Sequence, residues 1–335
     1  MSIVPESVPT GAIRYNTDSN KMECYDGTKW WEVVVSSPDL DGGARGLFGS
    51  GATPSASDVI DYITISTAGN AIDFGNDNID RQETAASGAS NTRGLWMGGS
   101  DAPSAVDTIV YVTISSIGNV TDFGDLTQGR YKTSGFSNQT RACAAGGESA
   151  PNYYNIIDYV TIASTGNAVD FGDTTTGAMG QGGGSCASPT RGIVFGGSNA
   201  GGYINTIQFV TIATTGNAQD FGDCVTTVND ATGCSNSTRG LQMGGQNPTN
   251  TDRIQYITIA SKGNAQEFGD IAAATDYLGS CASPIRGVVG GGQTPTKINT
   301  IEYVTIATVG DAIDFGDLTV ARRFCIGLSN AHGGL

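Results

Sequence analysis

Short apolar segments recur along this chain at a regular interval, and each is typical of a β-strand. In the pattern I-x-Y-V-T-I-A, branched side chains occupy both alternating faces, as in a strand that is covered on both sides. Six copies occur, namely DYITISTAGNAIDFGN (61–76), VYVTISSIGNVTDFGD (110–125), DYVTIASTGNAVDFGD (158–173), QFVTIATTGNAQDFGD (208–223), QYITIASKGNAQEFGD (255–270) and EYVTIATVGDAIDFGD (302–317). The chain is therefore built from one repeated unit.

Three positions mark every unit. An arginine opens it, at Arg45, Arg93, Arg141, Arg191, Arg239 and Arg286. An aromatic residue follows in the apolar segment, at Tyr62, Tyr111, Tyr159, Phe209, Tyr256 and Tyr303. A phenylalanine follows that aromatic at the same distance in every copy, at Phe74, Phe123, Phe171, Phe221, Phe268 and Phe315. The units average about 48 residues, the period of propeller blades.

Each unit predicts four short antiparallel strands. The first ends before the arginine, the second is the Arg-Gly-apolar run, the third is I-x-Y-V-T-I-A, and the fourth is A-x-D-F-G-D. Gly-Asn between the third and fourth strands, as at Gly166-Asn167, predicts a two-residue hairpin turn. Four strands per unit and six units predict an all-β, six-bladed β-propeller.

The chain ends predict how such a ring closes. The segment 321–335 supplies a further first strand, whereas the unit at Arg45 lacks an obvious one. We expect these two to pair, with Val33–Ser36 as the alternative strand. This places the propeller at 37–335 and leaves 1–36 as a separate segment.

The unit resembles the kelch repeat. Gly-Gly closes the second strand in five units, a tyrosine lies in the third, and a large aromatic lies in the fourth, although phenylalanine replaces the usual tryptophan. The resemblance implies the propeller fold and leaves the function open. Because arginine and the DFGD carboxylates recur together, we expect them to form structural ion pairs.

Composition and charge argue against several classes of function. The net charge of −15 disfavours nucleic-acid and anionic-membrane partners. His332 is the sole histidine, which excludes histidine-based triads and metal sites. We expect no enzyme activity, no metal and no cofactor. Cys186, Cys234 and Cys281 recur where other units have Ala or Phe, so we expect buried free thiols and folding in a reducing cytoplasm.

Unit length varies only between the second and third strands and between the fourth strand and the next first strand. In an antiparallel unit both connections lie on the same face, where binding loops are expected. Their Tyr, Ser, Gly and Asn content suits a contact with a glycan or a protein. The candidate binding residues are Tyr131, Tyr153, Tyr154, Tyr203 and Tyr277.

The first 36 residues lack the repeat. They predict three strands, 12–16, 21–25 and 29–34, turned at Asp18-Ser19-Asn20 and Asp26-Gly27-Thr28. So short a meander buries too little to be stable alone, so it must pack on another surface. Its aromatic residues are the candidates for that attachment, namely Tyr15, Tyr25, Trp30 and Trp31.

The string P-x-G-x-I-R-Y-N-T-D-x-x-K-x-E-x-Y-D-G-T-x-W, beginning at Pro9, is similar to a module of bacteriophage tail fibres and other virion proteins. That resemblance implies a non-enzymatic virion protein, made in the host cytoplasm and attached to other virion proteins through 1–36. A homo-oligomer is expected, a trimer among the forms. The propeller would then bind a host-surface glycan or protein, or decorate the particle. The alternative is a cellular kelch-type module for protein–protein interaction.

Overall fold

The computed structural model describes residues 8–16, 21–32, 44–53, 55–79, 81, 83, 86–101, 104–175 and 182–335. The chain divides into two compact units, 1–43 and 44–335. The predicted turn at Asp18-Ser19-Asn20 and the alternative strand Val33–Ser36 lie outside the described residues. No helix in the described ranges has the length and apolar character that a membrane crossing requires.

The N-terminal unit contains a three-stranded antiparallel sheet in the predicted order. Its strands are β1 (Ile13–Asn16), β2 (Lys21–Tyr25) and β3 (Trp30–Glu32). The turn between β2 and β3 follows from its sequence, because an Asp26 carboxylate oxygen accepts hydrogen bonds from the amides of Thr28 and Lys29. Gly27 supplies the left-handed backbone that this turn requires, with φ +100°.

The larger unit is all-β. Its first strands in chain order are β4 (Arg45–Gly49), β5 (Val59–Thr64), β6 (Ile72–Asn76), β7 (Ala86–Ala89), β8 (Arg93–Met97), β9 (Ser100–Asp101), β10 (Ser104–Ala105), β11 (Thr108–Thr113), β12 (Thr121–Asp125), β13 (Ser134–Ser137), β14 (Arg141–Ala145), β15 (Glu148–Ser149), β16 (Asn152–Tyr153), β17 (Ile156–Thr161) and β18 (Val169–Asp173). The remaining strands are β19 (Ser185–Ala187), β20 (Arg191–Val194), β21 (Gly197–Asn199), β22 (Gly202–Ile204), β23 (Thr206–Thr211), β24 (Gln219–Asp223), β25 (Thr232–Ser235), β26 (Arg239–Met243), β27 (Arg253–Thr258), β28 (Gln266–Asp270), β29 (Gly279–Ala282), β30 (Arg286–Gly290), β31 (Gln293–Thr294), β32 (Thr296–Lys297), β33 (Thr300–Thr305), β34 (Ile313–Asp317) and β35 (Ile326–Ser329).

The described strands form six four-stranded antiparallel sheets, one for each sequence repeat, which is a propeller-like arrangement. In chain order the sheets are β35-β4-β5-β6, β7-β8-β11-β12, β13-β14-β17-β18, β19-β20-β23-β24, β25-β26-β27-β28 and β29-β30-β33-β34. The predicted four-strand unit is therefore confirmed. The C-terminal strand β35 pairs with β4, with Leu328 opposite Leu47, as the chain ends predict.

The recurring phenylalanine packs between neighbouring sheets. Ile60 pairs with Gly75 and Asp61 with Asp73, so Phe74 is the extra residue of a β-bulge. Its ring meets Tyr62 edge-on at 6.1 Å between centroids. The same apolar cluster contains Leu47 from one sheet and Trp96 and Val110 from the next. The other five units repeat this edge-on aromatic pair.

The Gly-Asn pair does not form the predicted two-residue turn, which is a correction. Strands β5 and β6 are separated by residues 65–71, and the chain reverses earlier, where the Thr67 amide bonds to the Thr64 carbonyl. Gly-Asn instead joins sheets, because Gly118 donates its amide to the Phe74 carbonyl of the preceding unit at 2.8 Å. The Asn119 side chain accepts a hydrogen bond from the Asn76 amide of that unit. The turn residues are thus fixed by a neighbour that is distant in sequence.

The expected ion pairs between the recurring arginines and the DFGD carboxylates are also wrong. Arg141 donates to the Ile212 carbonyl of the next unit at 2.9 Å. Its guanidinium lies 4.5 Å from the ring centroid of Tyr159 in its own unit. The other five arginines make the same two contacts. A planar guanidinium serves both purposes, since it stacks on a ring while its edge donates to an oxygen.

This contact predicts the effect of removing one arginine. Replacing Arg141 with Met leaves the Ile212 carbonyl without its donor and removes the stacking on Tyr159. We expect a loss of about 1–3 kcal/mol in the free energy of unfolding, measured by urea titration. Replacing Asp170 or Asp173 with Asn should cost little, because neither carboxylate holds the arginine. A larger loss from the aspartate variants would restore the ion-pair hypothesis.

Candidate functional site

The two kinds of variable connection lie on the same face of the larger unit, as predicted. The evidence is that residues of one kind of connection pair with residues of the other. Backbone bridges join Tyr131 to Glu148, Asn229 to Gln246, and Asp276 to Gln293. In each bridge one residue comes from the connection after a fourth strand and the other from the connection after a second strand. We call this the loop face. It carries the short hairpins β9–β10, β15–β16, β21–β22 and β31–β32.

The five candidate tyrosines differ in exposure and position. Tyr153 and Tyr203 lie on β16 and β22 with 37% and 40% of their surface exposed. Tyr131 and Tyr154 are half-buried at the base of the β15–β16 hairpin, where the Tyr154 amide donates a hydrogen bond to the Gly147 carbonyl. Tyr277 lies elsewhere, beside the first strands, with its ring 4.2 Å from that of Phe324. Two tyrosines are therefore presented to solvent on hairpins, and one belongs to a different site.

That different site is an axial cavity lined by the first strands of all six sheets. Its walls include one small residue from each, namely Ser87, Gly135, Ser185, Gly233, Ser280 and Gly327. The alternation of serine and glycine has a steric cause, because a Cβ at Gly135 or Gly327 would overlap the backbone of the neighbouring first strand. Each serine donates to the carbonyl of a neighbouring glycine, as Ser185 does to Gly135 at 2.6 Å.

A second kind of contact, between a serine and an alanine, joins the first strands at the remaining boundaries. Ser137 Oγ accepts from the Ala89 amide and donates to the Ala89 carbonyl, at 2.8 and 3.1 Å. Ser235 does the same with Ala187, and Ser329 with Ala282. Together the two sets join β35 to β7, β7 to β13, β13 to β19, β19 to β25, β25 to β29 and β29 to β35.

The cavity is open at the loop face and has a volume of about 600 Å³, which includes open solvent. Charged side chains from several loops interact electrostatically at this end of the cavity. We call them the mouth cluster, which consists of Glu83, Lys132, Glu148, Asp230, Asp276, Tyr277 and Arg323. Asp230 and Tyr277 also line the cavity wall. Four members of the cluster are carboxyl groups, and they come from loops of different units.

A repeated backbone feature positions part of this cluster. Lys132, Asp230, Tyr277 and Phe324 occupy equivalent positions, seven residues after the last residue of D-F-G-D. All four have left-handed backbone angles, with φ of +54°, +52°, +57° and +59°. Such angles are uncommon for residues with a Cβ and often mark functional positions. They turn the chain from the loop into the first strand.

Hydrogen bonds and ion pairs order the mouth cluster. Lys132 Nζ lies 2.9 Å from Glu148 Oε1, with both side chains nearly buried. Asp230 accepts from Asn229 Nδ2 at 2.8 Å and from the Tyr277 hydroxyl. Three buried oxygens in or beside this cluster have no hydrogen-bond partner among the described residues, namely Glu83 Oε2, Asp276 Oδ1 and Thr133 Oγ1. An unsatisfied buried acceptor is costly, so these oxygens suit a ligand that supplies donors.

Burial changes the proton affinity of the acidic groups. Desolvation raises the pKa of Asp230 to about 7, and the charges of Asp276 and Glu148 act in the same direction against Lys132. Burial also raises the pKa of Glu83 and that of Asp276. The pKa of Tyr277 is raised by burial and by the neighbouring Asp230 and Asp276 carboxylates. Asp230 therefore titrates near neutral pH.

The opposite end of the axial cavity is covered by residues 332–334. His332 Nε2 lies 3.0 Å from the Ala89 carbonyl and 3.2 Å from Ser137 Oγ. Gly333 donates its amide to the Ser235 carbonyl at 2.9 Å. Burial lowers the pKa of His332, because it disfavours the charged ring. The histidine has a packing role here, and Cys186, Cys234 and Cys281 nearby are buried free thiols as expected.

The N-terminal sheet has two unlike faces. Register places Ile13, Cys24 and Trp31 in one row and Tyr15 and Met22 in another on the same face. Ile13, Tyr15, Met22 and Trp31 are exposed there, with Trp31 at 54%. On the other face the Trp30 ring contacts that of Tyr25 at a tilt, with 5.2 Å between centroids, and lies under the Arg14 guanidinium. Of the four predicted attachment residues, Tyr15 and Trp31 are thus on the apolar exposed face.

No protein-family model matches the chain, and a search of curated proteins returns no match.

Within the described residues, no group of three or more His, Cys, Asp or Glu side chains is arranged to hold a metal ion.

Proposed function

We propose that this chain is a non-enzymatic virion structural protein of a bacteriophage, whose larger unit is a closed six-bladed propeller that binds a host surface or another virion protein through its loop face. The observation that supports closure is the alternation around the axial cavity. Ser/Gly and Ala/Ser pairs alternate at successive boundaries, and an alternating pattern can close only with an even number of blades. Each of the six boundaries uses one of the two pairs.

The proposed binding surface is supported by the contrast between the two faces. The loop face varies in length from unit to unit and presents Tyr153 and Tyr203 on separate hairpins. Connections on the other side are uniform and tied to neighbouring sheets, as Gly118 and Asn119 are. A rigid scaffold with one adaptable, tyrosine-bearing face is the arrangement of many binding proteins.

The attachment role is supported by the N-terminal sheet. A sheet this small has an exposed apolar face formed by Ile13, Tyr15, Met22 and Trp31. Clustered exposed apolar side chains commonly mark interaction surfaces. Together with the resemblance of this segment to a tail-fibre module, this favours attachment to the particle or self-association through 1–36.

Purified particles of the phage that encodes the chain provide the first test. Mass spectrometry should find the protein in the virion at a fixed ratio to the capsid protein. Its absence from particles that are otherwise complete would overturn the virion assignment.

The loop-face contact has its own test. We expect the double variant Tyr153→Ser/Tyr203→Ser to lose at least tenfold in affinity for host cells or for the partner virion protein. Exposed tyrosines at an interface often contribute 1–2 kcal/mol or more each, as a rough guide. The matched control is Ile117→Ser/Ile285→Ser, which removes exposed apolar area from the opposite face, where these side chains are 67% and 65% exposed. Equal losses in both variants would contradict the assignment of the loop face.

A further inference from the structure

The loop end of the axial cavity is a built polar site that the contact proposed for Tyr153 and Tyr203 does not use. We propose that it binds a small hydroxyl-rich cation, of which a polyol that carries a primary amine is the simplest example. The inference goes beyond the proposed function and stands whether or not the chain belongs to a virion.

The first argument is the presence of unsatisfied polar groups in the cavity wall and beside it. Thr133 lines the wall with only 6% of its surface exposed, and its Oγ1 has no hydrogen-bond partner. Asp276 in the mouth cluster is 5% exposed, and its Oδ1 also lacks a partner. A ligand with several hydroxyl or ammonium donors would satisfy both groups, whereas an apolar ligand would leave both unsatisfied.

The second argument is charge. The mouth cluster contains four carboxyl groups, from Glu83, Glu148, Asp230 and Asp276, and two cations, Lys132 and Arg323. The Lys132 ammonium is already engaged by Glu148 at 2.9 Å. A positive charge placed beside Asp230 and Asp276 would relieve the repulsion between these two buried carboxyls. An anionic ligand would increase it.

The third argument separates a polyol from a bare metal ion. The cavity wall is mainly polar and carries serine and threonine hydroxyls, together with the half-buried ring of Tyr277 packed against Phe324. A ring face suits the C–H groups of a polyol, and hydroxyls suit its oxygens. The carboxyl groups of the described residues do not converge as three or more metal ligands. A ligand with hydroxyls, one amine and a carbon skeleton fits this lining better than a bare metal ion does.

The test uses the full chain and a matched pair of probes. 1-Amino-1-deoxysorbitol carries an amine that stays protonated near neutral pH, as a lysine side chain does. Sorbitol has the same skeleton without the amine. Isothermal titration at pH 8 should give millimolar binding of the amino polyol and at least tenfold weaker binding of sorbitol.

Three variants locate the site. Asp276→Asn, Asp230→Asn and Thr133→Val should each weaken binding of the amino polyol, by about tenfold for the two aspartates. Asp101→Asn, an exposed aspartate on a hairpin of the loop face, is the control and should bind like the original chain. Unfolding midpoints are measured for all four, and only variants that unfold at the temperature of the original chain are interpreted. Three separate substitutions keep the test decisive if one of them fails to fold.

The pH dependence gives an independent readout. A cation favours ionised Asp230, so binding should release a proton and weaken as pH falls through the pKa of about 7. Affinity at pH 6 should be about one tenth of that at pH 8 if Asp230 alone controls it. The groups facing Asp230 are Lys132, Asp276, Tyr277 and Glu148, and the first of these stays charged throughout. In Asp230→Asn the dependence should become much flatter.

Several results would overturn the inference. Equal affinity for sorbitol and the amino polyol would remove the role of charge. Unchanged binding in all three cavity variants would place the probe elsewhere. Calcium chloride is a further probe. If calcium binds with higher affinity than the amino polyol and the same variants lose that binding, the site is a cation site of another class. A virion that lacks the protein would overturn the proposed function and leave this inference intact.

Discussion

Deleting residues 321–335 is expected to abolish the cooperative unfolding of the larger unit. The deletion removes β35 and with it the buried side chains of Phe324, Cys325, Ile326 and Leu328. At about 1.5–3 kcal/mol each, such side chains contribute as much as the whole stability of an ordinary domain, about 5–15 kcal/mol. The deletion also exposes the hydrogen-bonding edge of β4, which is a template for aggregation. Circular dichroism during thermal unfolding and light scattering should reveal both effects.

A rearranged chain distinguishes the effect of losing β35 from the effect of moving it to another place in the sequence. In this variant residues 321–330 are moved in front of Arg45 through a Gln-Thr connection. The chain uses that same connection between Asn138 and Arg141, and Asn330 already caps the Arg45 amide at 2.9 Å. We expect the rearranged chain to unfold cooperatively again. A deletion variant that retained the original midpoint would show that β35 contributes little, and ring closure would then have no energetic support.

The strand content of the larger unit could be predicted because it depends on local signals that the repeat presents six times. Branched apolar residues on both faces define the third strand, and the fixed spacing of Tyr62 and Phe74 defines the packed pair. The partners of Arg141 and Asn119 could not be predicted in the same way. Their partners are a backbone carbonyl and a backbone amide in other units, and such groups leave no trace in a sequence.

The axial cavity was missed for a different reason. Asp230, Asp276 and Glu83 belong to loops of different units, and each looks like an isolated surface acid in its own segment. They come together only because the first strands of all six sheets line one cavity. A signal was nevertheless present, since aligned first strands alternate between Ser87 and Gly135 around the repeat. That alternation marks a crowded contact where one partner must lack a Cβ.

The position of this cavity also explains why the units differ mainly at the loop face. Repetition maintains the contacts that every sheet makes with the next, such as Arg141 with Ile212. Departures from the repeat are concentrated at the loop face, where Lys132, Asp230, Tyr277 and Phe324 fill one equivalent position with four different chemistries. Variation at structurally equivalent positions makes an asymmetric site from a symmetric scaffold. A ligand site at the axis can therefore be specific although the fold is repetitive.

Replacing Arg322 with Val is expected to destabilise the larger unit by about 3–5 kcal/mol, because it leaves a buried carboxylate unpaired. Arg322 lies after the last unit, and its Nη2 is 3.0 Å from Asp61 Oδ2 in the first, with neither side chain exposed. The same guanidinium group donates to the Phe48 carbonyl at 3.0 Å. Urea titration measures the loss. Arg130→Val, which breaks the equivalent pair with Asp158, should cost a similar amount.

The chain itself supplies the compensating change. At the boundary between the fourth and fifth units, Val228 occupies the position of Arg322 and Gln255 that of Asp61. Gln255 Oε1 accepts the Val225 amide at 2.8 Å, as Asp61 accepts the amide of Thr319. We therefore expect Arg322→Val/Asp61→Gln to recover most of the stability that Arg322→Val loses, since no buried charge remains. If the double variant were no more stable than Arg322→Val alone, the unpaired Asp61 carboxylate would not be the cause of the loss. Because a valine and a glutamine already replace such a pair elsewhere in this chain, we expect the recovery.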